Sequence, residues 1–81
     1  MRVRVKLFAQ LRDYAGTGDV DCDVDDAATV NEVWQSLAAR HPALAPFASS
    51  VSCAVNAEYA KLRTRVQDGD EVAFLPPVSG G

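Results

Sequence analysis

The sequence predicts an α+β domain in which one main helix covers one face of a small sheet. Three observations carry this prediction. Residues 2–9 and 19–24 alternate apolar with charged side chains at a period of two, as half-buried strands do. Residues 29–40 carry an apolar stripe at helical spacing behind a capping signal. Residues 51–56 and 71–75 are short apolar runs bounded by turn residues. The order strand, strand, helix, strand, strand does not alternate as a parallel βαβ array would, so helix and sheet form separate layers. With 81 residues, 48% hydrophobic and 23% charged, the chain fits one domain with one small core.

The first strand spans Arg2 to Ala9, with Val3, Val5, Leu7 and Ala9 on one face and Arg2, Arg4, Lys6 and Phe8 on the other. Gln10 to Ala15 has room for one or two helical turns, and Gly16 suits their termination. The second strand, Asp19 to Val24, points Val20, Cys22 and Val24 inward and Asp19, Asp21 and Asp23 outward. Thr29-Val30-Asn31-Glu32 reads as a capping box, in which hydroxyl and carboxylate each accept from the other residue's backbone N–H. Val30, Val33, Trp34, Leu37 and Ala38 then face the core, and Pro42 ends the helix near Arg40 or His41. Ala43 to Ser50 holds a short helical turn, Val51 to Asn56 a third strand, and Glu58 to Leu62 a weak extended piece. Asp68-Gly69-Asp70 is a turn that leads into the last strand, Glu71 to Leu75.

Composition excludes several function classes. A net charge of −3 leaves no electrostatic footprint for nucleic acid. Met1 to Lys6 alternates charge with valine and lacks the apolar region of a signal peptide, and no apolar run approaches a membrane span. Cys22 and Cys53 form no motif and read as reduced core residues of a cytoplasmic protein. The Asp-rich run from Asp19 to Asp26 resembles part of a calcium loop. It has Val24 where the sharp turn needs Gly and Val30 where the bidentate Glu would fall, so no metal site is expected. His41, the only histidine, sits at a helix end without a nucleophile or an orienting partner. No Gly-rich phosphate loop or nucleophile–base pair is present, so no autonomous active site is expected. Trp34 lies on the helix's core stripe.

Two features remain. Phe8 and Leu75 are apolar residues on the predicted outer faces of the first and last strands. If those strands are neighbours, the two side chains form a patch that Tyr59 can join, and contiguous apolar patches mark partner sites. Scattered surface hydrophobes are the alternative. The second feature is the ending Pro76-Pro77-Val78-Ser79-Gly80-Gly81. The prolines lack N–H groups and end the strand. The glycines present no side chain and so pass a narrow cleft. Six residues reach roughly 20 Å at about 3.3 Å each. The expected division is therefore a globular body over 1–75 and a flexible tail over 76–81. A frayed, inert end would have the same composition.

Phe8-Ala9-Gln10-Leu11-Arg12, Ala54-Val55-Asn56 and the stretch from Asp68 through Leu75-Pro76-Pro77-Val78-Ser79-Gly80-Gly81 resemble the MoaD family, the small sulfur-carrying subunits of molybdopterin synthase within the ubiquitin-like ThiS/MoaD group. The resemblance runs the length of the chain and is most specific at its end. The first motif separates it from ThiS, the shorter thiamine sulfur carrier.

The resemblance implies a ubiquitin-like β-grasp fold with the first and last strands parallel at the sheet centre. It implies that a partner adenylating enzyme, MoeB, uses ATP and magnesium to adenylate the Gly81 carboxylate, which a sulfur donor converts to a thiocarboxylate. Pro77, Val78, Ser79 and Gly80 would enter the large subunit, MoaE, whose residues do the catalysis, and Phe8, Tyr59 and Leu75 would contact the partner. Sulfur would pass to cyclic pyranopterin monophosphate within a heterotetramer. This chain would bind no cofactor itself. The same tail chemistry could serve thiamine, cysteine or tRNA sulfur delivery, or attachment to protein lysines. An interaction module with an inert tail is a third possibility.

Overall fold

The structure, a computed structural model, describes residues 1–77. It contains β1 (Arg2–Leu7), α1 (Ala9–Ala15), β2 (Asp19–Asp23), α2 (Val30–Arg40), a 3₁₀ segment (Pro42–Phe47), β3 (Ser52–Val55), β4 (Glu58–Ala60) and β5 (Glu71–Leu75). The five strands form one mixed sheet in the order β2-β1-β5-β3-β4. β5 lies at the centre, parallel to β1 and antiparallel to β3. This is the α+β, ubiquitin-like β-grasp arrangement, with α2 packed across one face.

Alternation in the strands builds the core. Val3, Val5, Leu7, Val20, Cys22, Cys53, Val72 and Phe74 all face α2 and are buried. α2 returns Val30, Val33, Trp34 and Leu37. The Trp34 and Phe74 rings meet edge to face with centroids 4.9 Å apart. Trp34 Nε1 is buried without a hydrogen-bond partner among the described residues, so this side chain serves as apolar bulk. Leu44 of the 3₁₀ segment is also fully buried, and Phe47 stacks against Tyr14 of α1.

Several element limits and one cap differ from the sequence expectation, with β2 ending at Asp23, β3 running only from Ser52 to Val55 and the 3₁₀ segment closing at Phe47. β1 stops at Leu7, and Phe8 becomes the extended N-cap of α1. Ala9 is therefore not a core residue of the strand: it is exposed, with φ +51°, because the chain must leave the sheet plane within two residues. β4 ends at Ala60, since the Leu62 and Thr64 carbonyls accept from the Asn31 and Val30 N–H groups at the start of α2. The capping box is half formed. The Thr29 hydroxyl accepts from the Glu32 N–H at 3.4 Å. The Glu32 carboxylate accepts from that hydroxyl, and among the described residues the Thr29 N–H does not bond to it. Thr29 sits opposite Arg65 in a bridge whose bonds run from the Val30 N–H to the Thr64 carbonyl and from the Val66 N–H to the Ala28 carbonyl.

Asn56 and Ala57, at φ +50° and +71°, form the two-residue turn between β3 and β4. That geometry matches a type I′ hairpin. Asn56 tolerates it and also ties the hairpin to β5. Its side-chain oxygen accepts from the Glu71 N–H, and its side-chain amide donates to Asp70. Gly69, at φ +85°, turns the chain so that its N–H reaches the Arg2 carbonyl, which sets the start of β5 beside β1.

Candidate functional site

Every strand residue that does not face α2 lies on the outer face of the sheet, and that face has two halves. Over β2 and β1, antiparallel register places Arg2 opposite Asp23, Arg4 opposite Asp21 and Lys6 opposite Asp19. The pairs close at 3.2, 4.0 and 2.9 Å. Lys6 hydrogen-bonds Asp19 and holds its carboxyl below the usual range. The Asp-rich strand is thus a ladder of exposed ion pairs, each carboxylate facing its own cation and not converging on one point.

Over β5, β3 and β4 the outer face is apolar in its middle, between Glu71 at one end and Ser52 at the other. Ala73 faces Ala54, and Ala54 faces Tyr59. Leu75 lies opposite Ser52 at the end of β5. Leu7 pairs with Phe74 in the parallel ladder, so Leu75 and Phe8, the extended residue just past β1, come next side by side. Phe8 is 46% and Tyr59 85% exposed, and Leu75 is half-buried. The structure therefore brings Phe8 and Leu75 to one end of the sheet. Tyr59 stands on the same face two strands from β5, roughly 10 Å away at the usual strand spacing.

The intervening floor is Ala54 and Ala73, whose side chains are small. Sequence reasoning missed Ala54. Its short apolar strand shows no alternation, and only the register with Ala73 assigns it to this face.

Pro76 follows Leu75 half-buried, and Pro77 is exposed. The chain thus leaves β5 beside the Phe8–Leu75 end of the patch. Val78, Ser79, Gly80 and Gly81, expected to carry the tail chemistry, lie outside the described residues.

Other reactive groups are inward. Cys53 is buried, and its thiol donates to the Ala60 carbonyl. Burial raises the pKa of both thiols, with Arg40 partly opposing this at Cys22. At neutral pH both are protonated and poor nucleophiles. His41 caps α2, its N–H bonded to the Leu37 carbonyl. Among the described residues no helix is long and apolar enough to cross a membrane, and no group of three metal-capable side chains is assembled.

Comparison with known proteins places this surface in context. The profile of the ThiS family matches residues 5–81. A molybdopterin synthase sulfur carrier subunit from Chlamydomonas reinhardtii is 35% identical over 83 residues, covering all of both chains. The crystal structure of SAMP1 from Haloferax volcanii superposes with a TM-score of 0.90 at 37% identity, again over the whole of each chain. The Amycolatopsis orientalis BexX/CysO complex contains a chain 28% identical with a TM-score of 0.78, matched over 98% of this chain and 99% of that one. On a match that reaches from β1 to the last glycine, the chain belongs to the ThiS family, with molybdopterin synthase sulfur carrier subunits among its full-length relatives.

Proposed function

We propose that this protein carries sulfur on the Gly81 carboxylate and delivers it as the small subunit of molybdopterin synthase. The observation that carries the reading is the full-length match to sulfur carrier subunits of that enzyme, extending through Gly80 and Gly81. The apolar outer face supports it, because it gives a partner a docking surface where the chain leaves β5.

A carboxylate is a poor electrophile because it is already negative. Attack of the Gly81 carboxylate on the α-phosphate of ATP, with magnesium in an adenylating partner of the MoeB type, releases pyrophosphate and forms an acyl-adenylate. A sulfur nucleophile then displaces AMP and leaves a thiocarboxylate. Pro77, Val78, Ser79 and Gly80 thread the loaded end into a MoaE-type large subunit, which orients it against cyclic pyranopterin monophosphate. Phe8, Tyr59 and Leu75 hold the body, residues 1–75, against the partner. The partners supply the catalytic groups, and the complex is a cytoplasmic heterotetramer.

A second reading keeps the tail chemistry and changes the acceptor. The likeness to SAMP1, a small archaeal modifier protein, and to CysO favours attachment to protein lysines or delivery to another sulfur pathway. Incubation with the adenylating enzyme, ATP and a sulfide source, followed by intact-mass analysis, tests the shared step. One oxygen-for-sulfur exchange is expected, absent when Gly81 is deleted although the truncated chain still folds. Full sulfur transfer by the truncated protein would overturn the proposal. Ladders of conjugates in extract would favour the modifier reading.

A further inference from the structure

Beside the apolar patch lies a groove of 580 Å³ lined by Val51, Ser52, Tyr59, Leu62 and, at its rim, Lys61 and Arg63. Ser52 is opposite Leu75, so the groove opens at the end of the sheet where Pro76 and Pro77 depart. Extending the β3–β4 register by one step sets Lys61 beside Ser52, two strands or roughly 10 Å from the root of the tail. Tyr59 belongs to both the groove and the patch, so the two surfaces are continuous.

The cations here differ from those of β1 and α2, and Arg12 of α1, whose side chain lies against Gly18, is a further exposed cation without an ion pair among the described residues. Arg2, Arg4 and Lys6 are matched to aspartates. Arg40 donates to the Asp21 carbonyl. Lys61 and Arg63, with Arg65 two residues on, are exposed and make no ion pair among the described residues. Their segment is also held in place. The Lys61 N–H donates to the Thr64 hydroxyl, the Thr64 N–H to the Lys61 carbonyl, and the Leu62 carbonyl accepts from Asn31. A protein of net charge −3 thus keeps an unneutralised, ordered positive rim next to its tail exit.

We propose that this rim receives a carboxylate-bearing segment of the protein that accepts the tail, with its apolar residues seated between Val51, Leu62 and Tyr59. The inference rests on the reading that a large molybdopterin synthase subunit is that acceptor. Rim charges act mainly on encounter rate and orientation. The groove therefore aligns the partner before the tail enters.

The test is titration of the large subunit encoded by the same organism with the intact chain and two variants. Lys61→Gln/Arg63→Gln removes two positive charges at the rim. Gln35→Glu/Ala39→Glu makes the same change in net charge on the exposed face of α2. At low salt the rim variant is expected to bind about tenfold more weakly, chiefly through a slower on-rate. The deficit should shrink to about twofold or less in half-molar salt. The α2 variant should bind within about twofold of the unaltered chain at both salts. Equal affinity of the rim variant and the unaltered chain would overturn the inference and leave the function standing. So would equal weakening of both variants, which indicates net charge alone. Failure of the unaltered chain to bind at all would overturn the reading of function and the inference together.

Discussion

Phe74 and Leu75 are consecutive residues of β5 on opposite faces of one sheet. Phe74 is fully buried against Trp34, and Leu75 sits half-buried beside Phe8. On the inner face every large side chain is enclosed by α2 and its flanking turns, so shape complementarity governs. On the outer face none of the described helices or turns packs over the apolar half, and the charged half is neutralised pair by pair. The inner face is complete by itself, whereas the outer face is apolar only where the chain heads towards its terminal residues. A large side chain that folding does not enclose is available for a partner.

The strongest way to break this contrast is to truncate both residues. Phe74→Ala should cost about 3–5 kcal/mol of stability, because it removes a buried ring and leaves a cavity beneath Trp34. Leu75→Ala should cost on the order of 1 kcal/mol or less in urea unfolding and weaken partner binding about tenfold or more. A Leu75→Ala protein that unfolds as easily as Phe74→Ala, or that binds normally, would erase the distinction between the faces.

A smaller effect sharpens the same comparison at the β3–β4 turn. Ala57 holds φ +71° where its Cβ is disfavoured. Ala57→Gly should stabilise the fold by roughly 0.5–1 kcal/mol in thermal or urea unfolding, since relief of left-handed strain outweighs the added freedom of the unfolded chain. The companion substitution Asn56→Gly should not stabilise, because Asn56 also binds Asp70 and Glu71.

The smallest effect belongs to the charged half. Asp19 has its pKa lowered from 3.8 by Lys6, so the folded state favours its ionised form. Its contribution is present above pH 3.8 and is lost as pH falls through the lower folded-state value. Asp19→Asn should therefore lower the melting temperature slightly at neutral pH and make progressively less difference below that point. The gap should also narrow with salt, as expected of an exposed pair. A gap that persists in strong acid would assign Asp19 a role other than this ion pair.

Much of the molecule was legible in residue order because its elements obey local periodicities. β5 and the end of α2 match their expected limits, as Pro42, Asp68 and Gly69 are strong punctuation with fixed backbone consequences. Where local signals were weak, neighbours decided. Ala9 continues the alternation of β1 yet lies in a left-handed turn, and Leu62 continues an extended run yet bonds to α2. The Glu32 carboxylate takes the Thr29 hydroxyl rather than its N–H, where the neighbouring Val30 is drawn to the Thr64 carbonyl.

By itself the sequence determined the element types, the inward and outward sides of β1, β2 and β5, the identity of Phe8, Tyr59 and Leu75 as candidates, and the Gly80-Gly81 ending. These follow from side-chain period and backbone chemistry, which act over a few residues. Only the tertiary structure decided the register between β1 and β5, whose parallel pairing the family resemblance implied, the placement of Ala54 and Ala73 as the floor between Tyr59 and Leu75, and the absence of any ion pair at Lys61 and Arg63 among the described residues. Those relations join residues more than fifty positions apart at the extremes. They are set by burying one continuous apolar face under α2, a constraint that no local pattern contains.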